Sequence, residues 1–121
     1  MATEDFRDLI VWQRSQELLR EVYRVARKLP VEERFEMGSQ LRRAAGSVSA
    51  NISEGHSSAY RKVFLAQLSS AHASLKEVDN HLLSAVTVGH LHREDIADAL
   101  SLSDEVSRML RVMLRNLDSE E

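Results

Sequence analysis

Phe64, Leu68, Ala71, Leu75, Val78, Leu82 and Ala85 follow one another at intervals of four, three, four, three, four and three residues. No glycine or proline interrupts residues 56–88. A heptad seam of that length fixes a long helix with one apolar edge, and that edge must be covered by other helices. Nothing else in the chain offers a sheet to cover it: one proline and four glycines leave little material for hairpins or turn-rich sandwiches. The segment "VSANIS" alternates apolar and polar residues. A single strand would leave its backbone unpaired, so that stretch too reads as helix.

Four helices are expected, over about 9–29, 32–55, 58–88 and 93–118. In the first, Leu18, Val22, Val25 and Leu29 form one stripe and Val11, Ser15, Leu19, Tyr23 and Ala26 a second. Asp8 is the expected N-cap and Pro30 the stop. The second carries Met37, Leu41, Ala44, Val48 and Asn51 at 4-3-4-3 spacing, widened by Ala45 and Ile52. Glu32, Glu33 and Glu36 suit its positive end, and Gly55 is the expected left-handed stop. Ser57 or Ser58 would cap the third helix, and Gly89 would end it. The fourth opens on Glu94 and Asp95 and carries two stripes: Ile96, Leu100, Leu110, Leu114 and Leu117, then Ala99, Leu102, Val106, Met109 and Met113. Helices apolar over so much of their girth face two neighbours. Short connections make consecutive helices antiparallel, so the expected fold class is an all-α, up-down-up-down four-helix bundle in one domain over residues 1–121. At this length such a domain buries about two-thirds of its unfolded surface.

The chain has no cysteine, which removes disulfide frameworks and thiolate chemistry. No apolar run approaches about 18 residues, and acids stand where a secretory signal carries basic residues, so a cytoplasmic protein is expected. The net charge of −3 does not indicate a globally basic nucleic-acid binder. From Arg93 onward four arginines face eight acids (4 − 8 = −4), which leaves the first 92 residues with 12 basic against 11 acidic (+1). An anionic partner would therefore meet the earlier part. Its basic candidates are Arg20, Arg24, Arg27, Lys28, Arg42, Arg43, Arg61 and Lys62. The competing reading is salt-bridge lacing: Glu17 lies three residues from both Arg14 and Arg20, and Glu21 three from Arg24.

"RRAAGSVSANISEG" (42–55) is the stretch that helix propensity alone would not write. Its glycine and asparagine together cost about 1 to 2 kcal/mol in a helix interior. Leu41, Ala45, Val48 and Ile52 make an apolar face, and Arg43, Ser47, Asn51 and Glu54 a polar ridge beside it. The structural reading is a tight core in which Ala44, Ala45, Gly46 and Ala50 permit close helix approach. The functional reading is a small-ligand pocket built on the ridge.

These residues carry a resemblance. Asp8-Leu9-x-Val11-Trp12-Gln13, Gln40-Leu41-Arg42-Arg43-Ala44-Ala45-x-Ser47-Val48, Asn51-Ile52-x-Glu54-Gly55, Ser74-Leu75-x-Glu77 and Gly89-His90-Leu91 resemble the four-helix-bundle proteins encoded in intervening sequences of large-subunit ribosomal RNA genes. That family looks related to the accessory protein of diversity-generating retroelements. The resemblance implies a ring-like homo-oligomer, typically a pentamer, and a partner such as a reverse transcriptase, with RNA or DNA nearby. Ser49 stands where members often have proline, and the strong basic excess of the retroelement proteins is missing.

No catalytic motif is present: "GSVSA" lacks nucleophile-elbow spacing, and there is no phosphate loop. Glu77 with His81, and His90 with His92, are too few ligands for a supported metal site, so no metal and no cofactor are expected. Trp12, Tyr23, Tyr60 and Phe64 read as core or subunit-contact residues rather than base-stacking platforms. The expected function is a non-enzymatic, homo-oligomeric scaffold or adaptor for a nucleic-acid-processing partner. The alternatives are direct RNA or DNA binding through ring arginines, and a small-ligand protein using the ridge.

Overall fold

The structure is a computed structural model and describes residues 5–118. Its helices are α1 (Ile10–Ala26), α2 (Met37–His56), α3 (Arg61–Thr87) and α4 (Arg93–Asp118), with single 3-10 turns at Phe6–Asp8 and Val31–Glu33. No strand occurs among the described residues. Both α1 and α3 pack against α2 and α4, so each helix has two neighbours and the four close around one core. Every helix contributes to that core. Leu18, Val22 and Val25 come from α1, Leu41, Ala45, Val48 and Ile52 from α2, Leu68 to Ala85 along the seam of α3, and Ile96, Ala99, Val106 and Leu110 from α4. The heptad seam is buried from Leu68 onward, and Phe64 packs half-buried at its lower end.

The ends depart from expectation in instructive ways. Asp8 does not cap α1. It is taken up in the 3-10 turn that Asp5 caps through the Arg7 amide at 2.8 Å, and Leu9, extended and without a side-chain bond, holds the N-cap position. At the other end α1 stops at Ala26, and amide bonds from Lys28 to Val25 and from Leu29 to Ala26 tighten the last turn. Glu32 and Glu33 lie in the second 3-10 turn and Glu36 precedes α2 without a cap bond, so none sits in the first turn of α2. The third helix begins at Arg61, after Tyr60. Ser58 instead receives the Tyr60 amide at 3.1 Å in a local turn, and Ser57 bonds back to the Ser53 carbonyl.

Gly55 is not a left-handed stop. It is buried and helical within α2, and a Cβ there would stand 2.8 Å from Gln67 Cβ and 3.0 Å from Phe64 Cδ1, so it lets α2 approach α3. Gly89, with φ of 83°, is the glycine that turns the chain. The His90 and Leu91 amides then both reach back to the Ala85 carbonyl, closing α3 as expected. Ala44 and Ala45 are buried at the helix contact, whereas Ala50 is exposed and Gly46 has nothing within 4 Å of a built Cβ. Close approach is thus the work of Ala44, Ala45 and Gly55 and not of Gly46 or Ala50.

Candidate functional site

The polar ridge of α2 does not converge on a pocket. Arg43 and Glu54 are exposed, and Ser47 and Asn51 are half-buried. Arg43 donates at 3.4 Å to Ser39, and no hydrogen bond joins the four ridge residues to one another. The polar groups that the fold does bring together lie elsewhere, between helix pairs. Ser49 Oγ lies 2.9 Å from Ser15 Oγ and accepts from Gln16 Nε2 at 2.9 Å, while Ser15 also donates to the Trp12 carbonyl. Across α3 and α4, Ser103 donates to Asp79 at 2.7 Å, and Ser107 meets His72 Nε2 at 3.0 Å. Ser15, Ser49, Ser103 and Ser107 are all buried. Their spacing held the signal: each serine occupies a core-facing position of its helix.

Basic residues divide into two populations. Arg14 bridges Glu17 within α1 and Glu105 on α4, Arg24 pairs with Glu21, and Lys28 pairs with Asp95 at 3.1 Å. The Arg24 guanidinium holds the Glu21 carboxyl below its usual range, and Arg14 does the same for Glu105. The Asp95 carboxyl is lowered chiefly by the His92 amide, which it receives at 2.8 Å, and then by Lys28. This acid therefore caps α4 and ties it to the end of α1. Arg20, Arg27, Arg42 and Arg43 have no carboxylate partner among the described residues, nor does Arg34. Arg61 donates to the Leu117 carbonyl at 2.6 Å, and Lys62 is exposed at the start of α3.

Two histidines meet single acids. His81 Nε2 lies 3.6 Å from Glu77, and His90 Nε2 3.2 Å from Glu33, while His92 is exposed. Among the described residues no group of three or more histidine, aspartate or glutamate side chains is placed to hold a metal ion.

One open groove is almost wholly apolar. Leu9, Ile10 and Val11 at the start of α1 and Met109, Val112 and Met113 near the end of α4 line a groove of about 560 Å³, with Arg108 beside them. Ile10 is 60% exposed and Val112 43%. The methionine stripe of α4 pointed to half of this groove; Ile10 and Val112 lie off the stripes and carried no signal. Tyr23 and Tyr60, expected inside or at contacts, are 45% and 73% exposed in the chain as described.

Core and polar ties together define a small all-α protein of four helices. The chain belongs to the 23S rRNA-intervening sequence protein family, whose model matches residues 7–112. It is similar in fold to a protein of unknown function from the S23 ribosomal protein family of Bacteroides thetaiotaomicron. That likeness has a TM-score of 0.78 and 24% identity over 87% of this chain and 98% of the other. No curated protein matches it significantly. No helix among the described residues is long and apolar enough to cross a membrane.

Proposed function

We propose that this chain is a non-enzymatic, cytoplasmic, homo-oligomeric scaffold, assembled as a ring with five copies the favoured number, that serves as an adaptor for a nucleic-acid-processing partner such as a reverse transcriptase. The observation that carries the reading is the groove of Leu9, Ile10, Val11, Met109, Val112 and Met113, in which Val11, Leu9, Met109 and Met113 border the core while Ile10 and Val112 stand exposed and uncovered. Contiguous exposed apolar surface of this kind marks an interaction site. An antiparallel up-down arrangement is the topology proposed for the protomer. It accounts for Arg14 meeting Glu105 while Lys28 meets Asp95, with α1 numbers rising as α4 numbers fall. Light scattering and sedimentation at micromolar concentration test the assembly: a mass several times that of the chain supports it, and a monomer overturns it.

A second reading, direct nucleic-acid binding, is favoured by the arginines that lack carboxylate partners. The ridge pocket has no comparable support, because Arg43, Ser47, Asn51 and Glu54 neither bond to one another nor line any of the main hollows.

A further inference from the structure

Of the arginines without a carboxylate partner among the described residues, Arg27, Arg34 and Arg42 lie where α1 hands over to α2, with Arg20 two turns earlier in α1. Arg34 donates from Nε to the Leu29 carbonyl and from Nη2 to the Arg27 carbonyl, both at 3.1 Å. Arg42 reaches the Arg34 carbonyl at 3.5 Å while its guanidinium lies 5.8 Å from the centroid of the Tyr23 ring. Backbone carbonyls and an aromatic face thus hold two guanidinium groups in place without neutralising them. Arg27 is exposed beside them and its side chain makes no bond among the described residues. Next to Arg34 stands Phe35, at 87% the most exposed large apolar residue of the described chain.

Glu21 is engaged by Arg24 and Asp95 by Lys28, which leaves Glu32, Glu33 and Glu36 as the carboxylates around Phe35, Glu33 meeting only the His90 ring. Arg20, Arg27, Arg34 and Arg42 outnumber those three by one (4 − 3 = +1), so the face keeps a positive balance in a chain of net charge −3.

The geometry points to this face as a binding site for single-stranded nucleic acid, with phosphates on Arg27, Arg34 and Arg42 and an unstacked base on Phe35. Guanidinium groups match phosphate oxygens, and partly fixed ones lose less freedom on binding. An exposed ring beside them is a stacking platform that any base can use and that a duplex, with its bases already stacked, cannot. An acidic peptide would use the arginines and leave Phe35 idle. The site deepens the nucleic-acid association proposed above and does not depend on assembly into a ring.

Fluorescence anisotropy of the full chain with a labelled oligouridine of about 12 nucleotides, the matching DNA strand and a duplex tests it. Three phosphate contacts on a single strand give a slope of log affinity against log salt of about −2, and Arg27→Ala reduces its magnitude by about 0.7. Phe35→Ala weakens single-strand binding about tenfold with the slope unchanged, and Phe35→Trp restores it. The RNA and DNA arms tell which strand is preferred; either preference supports the site. Absence of binding at low salt, equal affinity for the duplex, or indifference to Phe35→Ala overturns it. Light scattering of the same samples keeps the two readings apart: an oligomer that binds no strand removes this site alone, and a monomer that binds removes the scaffold alone.

Discussion

At the residue scale the buried serines and their partners carry the specificity of the packing. Ser49 satisfies Ser15 and Gln16 at once. Ser49→Ala leaves Ser15 its bond to the Trp12 carbonyl but strands the Gln16 amide, a loss of about 1 kcal/mol readable as a lower denaturant midpoint at constant slope. His72 makes the matching contact on the far side, and burial, then Lys76 and Arg111, depress its affinity for a proton. The folded form therefore binds fewer protons than the unfolded one between the depressed value and the ordinary value near 6.5. Stability from this group is complete above about pH 6.5 and is lost as pH falls through the folded value. Denaturant midpoints measured from pH 7.5 downward should fall in the parent and flatten in His72→Gln; an unchanged pH profile would remove the assignment.

At the scale of elements, two glycines of one helix have opposite meanings. Gly46 faces open space, so Gly46→Ala gains helix propensity with no clash and should raise stability by about 0.5 to 1 kcal/mol. Gly55→Ala would drive a Cβ to 2.8 Å from Gln67 and lower the melting temperature as α2 is pushed from α3. Ala45→Leu, at a fully buried contact, should cost about 1 to 3 kcal/mol by overpacking. Thermal melts of the three variants separate these outcomes, and a stabilised Gly55→Ala would refute the close approach. The helices themselves were legible, because a 4-3 rhythm such as Leu68-Ala71-Leu75-Val78-Leu82 has one physical explanation. The ends were less so. Asp8 could cap a helix or sit in a 3-10 turn with equal local chemistry, and the choice fell to Asp5 three residues earlier. Gly55 beside a run of serines reads as a stop until Phe64 and Gln67, on the next helix, are placed against it. The exposure of Phe35 and the tethering of Arg34 and Arg42 depend on where a connection folds back, which periodicity does not encode.

At the scale of the whole molecule, the position of apolar surface decides what kind of assembly is open to the chain. The groove around Ile10 and Val112 uses the start of α1 and the end of α4. Another hollow of about 300 Å³, lined by Leu83, Val86, Ile96, Ala97 and Leu100 with Thr87 and Arg93 at its polar side, uses the end of α3 and the start of α4. Two different patches suit a head-to-tail contact, in which each copy gives one patch and receives the other, and such contacts form a ring when the rotation between copies closes. A two-fold dimer would need one patch meeting itself. Ile10→Asp and Leu83→Asp distinguish the cases, since both positions are more than half exposed and neither charge need enter the core. Under the head-to-tail arrangement each variant alone is monomeric. An equimolar mixture then forms dimers through the one groove and the one hollow that remain intact. A two-fold contact at the groove predicts that Leu83→Asp still dimerises and that mixing changes nothing. Light scattering of each variant and of the mixture reads the answer directly, and the absence of dimers in the mixture would overturn the head-to-tail pairing of these two patches.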